Sequence, residues 1–283
     1  MKKLRFHWSC HPFKDKEWYA EQNKKMSPDA VAAELDIQYS HSVSSRVFPE
    51  FTMANHVKRA IFEADPFLPV YRIWDFGKIV NVVLYMQVDQ NYRKKFLFER
   101  VLRLQNKEGS ATLTQIQTAI SDSQTYFPGY KFIDICDPAG ANRHHDAPSS
   151  SIEMLQQAGI YPLYHNILHT STQNRKLNAR DALQADLCRR TKDGEVITIY
   201  CTEDKKLGCP TLVEALAGAY GFKKDNRGNL LDIVHEVHPY EDIMDCVFYF
   251  YIENGLHDIK KKDDLHDIYK SAYTNSSSSG MYF

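Results

Sequence analysis

Three aspartates stand where a carboxylate can do chemistry. Asp75 closes the run Tyr71-Arg72-Ile73-Trp74, and Asp137 closes the apolar run from Tyr130 to Cys136 and opens Asp137-Pro138-Ala139-Gly140. Each alone is an ordinary turn-forming residue. Asp245 is different, because it lies inside Ile243-Met244-Asp245-Cys246-Val247-Phe248, a stretch that reads as a helix apolar on almost every side. A carboxylate buried there unpaired costs several kcal/mol, so it must take up a proton, a cation or hydrogen-bond donors. Asp242 sits one turn earlier and projects to the same side, although an acid at a helix start is also favoured by the dipole. Within the second strand, Ile133, Ile135 and Asp137 share one face while Asp134 turns with Cys136 to the other, which selects Asp137 over Asp134 as the site residue.

Two strand-end carboxylates and one on a helix, brought to one edge of a sheet, make an oxygen-rich pocket for a hard divalent cation, Mg²⁺ or Mn²⁺. Two such ions about 3.5–4 Å apart can activate a water on one side of a phosphodiester and stabilise the departing oxygen on the other. Asp75, Asp137 and Asp245 are the expected catalytic carboxylates and act mainly as metal ligands, with Asp242 as a further candidate ligand. Lysines near the site would neutralise transition-state charge.

The elements that must position these residues follow from periodicity. Tyr71–Asp75, Val80–Val88 and 95–104 are β-branched and aromatic runs joined by short turns, so they form antiparallel neighbours. The turn before the third run carries Arg93, Lys94 and Lys95, a cationic tip that suits DNA phosphates. Residues 111–126 have helical spacing, 130–136 form a strand, and 149–158 read as a capped helix closed by Gly159. Strand 160–164, helix 174–190, strand 196–201, helix 209–220 and the apolar helix 239–254 complete a βαβ alternation. Three antiparallel strands followed by parallel strands with crossover helices give an α/β fold, a ribonuclease-H-like mixed sheet flanked by helices. Residues 1–50 read as a helical linker segment, including a helix over 28–36 and a docked Val47-Phe48-Pro49-Glu50-Phe51. Residues 51–258 are then the nuclease-like domain and 259–283 a polar, disordered tail.

Composition limits the partners. Thirty-five Lys and Arg against thirty-six Asp and Glu give a formal charge of -1, so any nucleic-acid binding must come from a local patch. Six cysteines without a Cys-x-x-Cys pair suit a reducing compartment, and no apolar run approaches the ~20 residues of a membrane span. A cytosolic location is expected.

Taken together the motifs resemble the C-terminal nuclease domain of tailed-phage large terminase subunits. Trp8, His11-Pro12, Trp18-Tyr19, the stretch from Glu34 to Tyr39 and that from Ser42 to Phe51 resemble the segment that links the family's ATPase to its nuclease. Trp74-Asp75-Phe76-Gly77 with Gln87-Val88-Asp89 resembles its first strand and hairpin. Asp137-Pro138-Ala139-Gly140 with Ser150, Leu155 and Gly159-Ile160 resembles its second acidic motif, and Glu241-Asp242-Ile243-Met244-Asp245-Cys246-Val247-x-Tyr249 its third, with Cys246-Val247 in place of the usual Ala-Leu. The resemblance implies a metal-dependent endonuclease that cuts concatemeric double-stranded DNA in the host cytoplasm, with Asp75, Asp137 and Asp245 as ligands. Implied partners are DNA, the portal protein, the small terminase subunit and a packaging ATPase on the same or a separate chain. No Gly-x-x-x-x-Gly-Lys-Ser/Thr loop occurs in the sequence, so the motor part is absent from it. A junction resolvase or other ribonuclease-H-like nuclease, and a non-catalytic DNA- or portal-binding module, are the alternatives. Asp75-Phe76-Gly77 also matches a kinase tripeptide, but the accompanying Gly-rich and His-Arg-Asp loops are missing.

Overall fold

From Val80 to Val88 every residue but Asn81 and Gln87 is apolar or aromatic, which suits a strand covered on both faces. A computed structural model describes residues 8, 11–25, 35, 45–58, 63–77, 79–103, 108–142, 149–164, 172–190, 196, 199–202, 207–225 and 229–254. Apart from Leu35, the helix expected at 28–36 lies outside the described residues, as does the tail 259–283. Helix α1 is Lys16–Lys25 and the single turn α2 is Met53–His56. Strands β1 (Val57–Lys58), β2 (Val70–Asp75), β3 (Val80–Val88) and β4 (Lys94–Arg103) precede helix α3 (Glu108–Tyr126) and strand β5 (Phe132–Cys136). Helices α4 (Ser151–Gln157) and α5 (Thr172–Cys188), strand β6 (Ile199–Thr202), helix α6 (Pro210–Glu214), the hairpin β7 (Phe222–Lys224) with β8 (Leu230–Val234), and helix α7 (Tyr240–Glu253) follow.

The main sheet has the order β1-β6-β4-β3-β2-β5. β2, β3 and β4 are antiparallel neighbours, and β5 lies parallel to β2 on its free side. This is the ribonuclease-H-like arrangement, extended past β4 by the parallel strand β6. Side chains alternate between two cores. Tyr71, Ile73, Val82, Leu84 and Met86 pack with Ile243, Val247 and Phe250 of α7 and Leu183 of α5. Val70, Trp74, Val83 and Tyr85 pack with Ile116 of α3 and Leu155 of α4. By this parity Asp75 belongs to the α7 face.

Several expected elements take a different form. Residues 160–164 contribute a single parallel bridge, Leu163 to Ile135, instead of a strand. The helix expected over 209–220 ends as α6 at Glu214 and continues as a π-turn, Ala215–Ala219, whose Gly218 has φ 125, a value that excludes a regular helix there. The β7–β8 hairpin was not anticipated, because Leu230-Leu231-Asp232-Ile233-Val234 lacks strict alternation; Leu230, Leu231 and Ile233 are in fact exposed. Val47, Phe48 and Phe51 are fully inside the main core, as the docked-segment reading required. Among the described residues no helix is long and apolar enough to cross a membrane.

A buried acid fixes α6. Glu99 on β4 accepts the Thr211 and Leu212 backbone N–H groups at 2.7 and 3.0 Å, two of the helix's otherwise unmatched donors. Burial pushes its carboxyl from 4.5 up to about 7, more than those bonds offset. The folded state therefore binds the proton more tightly, and Glu99's contribution to stability declines as pH rises between those values. Glu99→Gln is expected to be less stable than wild type at pH 5, through one lost acceptor. The gap should close by roughly 2 kcal/mol at pH 7.5, read from urea unfolding at both pH values.

Candidate metal centre

The parallel register that pairs Trp74 with Cys136 makes Asp75 and Asp137 the next residues on adjacent strands. Their positions are locked locally. The Gln115 amide donates to the Asp75 carbonyl at 3.0 Å and to the Val82 carbonyl at 2.9 Å, and Gly77 N–H donates to Asn81 at 3.2 Å. A Cβ on Gly77 would lie 2.0 Å from the Val80 carbonyl oxygen, so only glycine closes this turn. After β5, Asp137 caps the 3₁₀ turn Pro138–Ala141 by accepting Ala139 N–H at 3.0 Å. Gly140 in that turn lies against the Phe76 ring, where a Cβ would sit 3.0 Å from ring carbons, and this close approach couples the two strand-end motifs.

Helix α7 crosses the same face. Its Cys246 thiol reaches the Ile73 carbonyl at 3.6 Å, and Asp242, Asp245 and Tyr249 follow one another at three- and four-residue intervals along the side that meets the strand ends. The Tyr249 hydroxyl lies 3.1 Å from an Asp75 oxygen and 3.1 Å from an Asp137 oxygen. Asp245 accepts from Lys176 Nζ of α5 at 2.7 Å. Asp242, buried, has both oxygens against His238 Nδ1, at 3.0 and 2.8 Å.

The electrostatics record crowding of anions. Burial, then the charges of Asp245 and Asp242, pushes the Asp75 carboxyl well above the ordinary carboxylate range, although the Tyr249 hydrogen bond works the other way. Burial also raises Asp245, against the opposing pull of Lys176. For Lys176, burial alone would lower the amine, yet the Asp245 charge outweighs it and the net shift is upward. The hydrogen bond to Asp242 raises His238.

Three of the carboxylates anticipated from sequence thus meet at one end of the sheet, and Asp242 borders them with its oxygens engaged by His238. Asp134 faces the other core, where Arg72 holds both its oxygens at 2.8 Å and the Trp74 indole donates to it at 2.8 Å. The cationic hairpin lies elsewhere. The register that sets Asp75 beside Val82 sets Tyr71 beside Met86, so Arg93–Lys95 occupy the opposite end of the sheet. There Lys94 is buried against Asp186 and is not part of the hairpin surface, and Arg93 pairs with Asp89 at 2.6 Å.

The sequence singled out no particular lysine beside the carboxylates and no role for the Tyr249 hydroxyl. Lys176 carried a detectable signal, because it lies one turn before Ala179 on the buried line that continues through Leu183 and Leu187. A lysine in a core stripe asks for a buried acid.

Among the described residues no three His, Cys, Asp or Glu side chains are arranged so as to enclose an ion directly. Proton donors instead span the carboxylates: the Tyr249 hydroxyl serves Asp75 and Asp137, and the Lys176 ammonium serves Asp245. The donor set still suits a hard cation, being all oxygen, and part of the upward push on Asp75, after burial, comes from the negative charge of Asp245 and Asp242, which a cation would relieve.

In outline the fold is similar to the nuclease domain of the g2p large terminase of bacteriophage SPP1, solved with bound Mn, with TM-score 0.42 and 12% identity over 69% of this chain and 94% of that one. It is also similar to the Fowlpox virus resolvase in complex with Holliday junction DNA, with TM-score 0.26 and 14% identity over 45% of this chain and 89% of that one. No protein-family model matches the chain, and no curated protein matches its sequence significantly.

Proposed function

We propose that the chain is a divalent-cation-dependent DNA endonuclease that hydrolyses phosphodiesters of concatemeric phage DNA as the nuclease part of a packaging terminase. The observation that carries this reading is the convergence of Asp75, Asp137 and Asp245 at one sheet end, with Asp75 destabilised as an anion by burial first and then by the charges of Asp245 and Asp242. The sequence motifs resembling the terminase nuclease narrow it from nuclease to terminase.

Asp75, Asp137 and Asp245 would hold Mg²⁺ or Mn²⁺. Asp242 adds negative field and would become a ligand only on release from His238. When bound, such cations activate water and neutralise charge on the phosphate. The chain's own groups orient the substrate: Lys176 is about one-third exposed beside Asp245, so its ammonium can donate to an entering phosphate oxygen and stabilise charge developing there. Arg93 and Lys95, at the far end of the sheet, are outlying candidates for contact with DNA. The portal protein, the small terminase subunit and a packaging ATPase are the proposed protein partners, in the cytoplasm of the host.

Purified protein is expected to nick and linearise plasmid DNA with Mn²⁺ or Mg²⁺ and to stop on chelation. Affinity for duplex should fall steeply with salt, as phosphate contacts require. Cleavage unaffected by chelator would overturn the cation site. A strong preference for four-way junctions over linear duplex would replace the terminase reading with a resolvase, and a flat salt response would point to a protein partner.

A further inference from the structure

Tyr249 is buried on α7 at 6% exposure, in a core where a phenylalanine would pack equally well, yet its hydroxyl is placed between two carboxylates on different strands. One hydroxyl proton serves two acceptors, each at 3.1 Å. The strand register fixes the backbones of Asp75 and Asp137 side by side, but it does not prevent two like-charged side chains from swinging apart. The Ala139 N–H fixes only the other oxygen of Asp137.

We propose that Tyr249 is the positioning residue of the cation site, whose hydroxyl ties Asp75 and Asp137 together and to α7 so that Asp245, one turn earlier, meets them in register. The proposal rests on the reading that these carboxylates take a divalent cation. Tyr249 acts through the carboxylates and has no part in bond breaking. Without the hydroxyl the two side chains separate, and a cation must gather them before it binds. Loss of a partner that orients metal ligands costs about 10–100-fold in affinity.

Calorimetry of Mn²⁺ binding to the full chain is the test. Tyr249→Phe keeps the ring and its packing, so the metal-free protein should still fold and unfold in one cooperative transition, as wild type does. Its Mn²⁺ affinity should be about 10–100-fold weaker. Plasmid cleavage should need correspondingly more Mn²⁺ and return to near the wild-type rate at saturation, a split that a merely structural role would not produce. Equal or tighter binding by Tyr249→Phe, with wild type binding normally, would overturn the positioning role alone. Failure of wild type to bind Mn²⁺, or unchanged binding by Asp75→Asn, would overturn the functional reading and the inference with it. If the phenylalanine variant does not fold, wild type labelled at tyrosine Cζ decides: the Tyr249 resonance must shift during a Mg²⁺ titration with the affinity that calorimetry gives for Mg²⁺, and an unmoved resonance would overturn the role.

Discussion

Asp75→Asn is expected to lose cleavage by more than about 100-fold, beyond the cost of an outer partner, and at the same time to make the metal-free protein more stable. Asparagine is close in shape and can still accept the Tyr249 hydrogen bond, but it adds no charge to a crowd of anions. Burial, Asp245 and Asp242 raise the Asp75 carboxyl far above 3.8, so the folded state holds its proton more tightly than the unfolded chain does. The stability Asp75 contributes is therefore full below pH 3.8 and is lost as pH rises toward the folded-state value. Removing the group should restore about 1–2 kcal/mol at neutral pH, the ordinary gain from relieving a strained functional site. Its melting temperature should rise by a few degrees. Asp137→Asn should lose cleavage to the same degree, with a smaller gain, because Asp137 is more exposed and caps the Pro138–Ala141 turn. Cleavage that survives in either variant, or an Asp75→Asn protein that melts lower, would contradict the arrangement.

The second large effect concerns Lys176. Lys176→Met leaves Asp245 without its donor inside a helix whose other neighbours are largely apolar. Breaking a fully buried pair costs 3–5 kcal/mol, but the Lys176 side chain is 36% exposed, so about 1–2 kcal/mol is expected. The amine is raised above 10.5, so the stability it contributes is present below that value and is lost as pH rises through the folded-state value, while burial keeps the Asp245 anion costly even when paired. Cleavage at saturating cation should fall about 100-fold, as for other donors aimed at developing charge. Lys176→Met combined with Asp245→Asn should regain stability but not activity, since the orphaned charge is gone while a ligand is missing. Urea unfolding and single-turnover cleavage measure the two halves separately. A fully active Lys176→Met protein would confine the lysine to pairing with Asp245.

The residues that defined the site in the sequence were those that violated a local pattern. Asp245 interrupts an apolar helix, and the parity of Ile133, Ile135 and Asp137 sorted Asp137 from Asp134, which the structure places on the opposite face with Arg72. Strands β2, β3 and β5 were legible because covered strands require long β-branched and aromatic runs. What stayed hidden depends on contacts between distant segments. Tyr249 looks like any core aromatic until the strand ends are placed beneath it, and Lys94 looks like a surface cation until Asp186 and Tyr251 close over it. The β7–β8 hairpin and the π-turn escaped for a local reason, irregular alternation in one and a single left-handed glycine in the other.

The link from the Tyr249 hydroxyl to Asp75 spans 174 residues of sequence. Contacts of such separation form late, after the loop entropy between them has been overcome. Strand β2 therefore waits for α7, and a chain still emerging from the ribosome holds two of the acids before the third. The proposed cation site is then incomplete until α7 docks against the ends of β2 and β5.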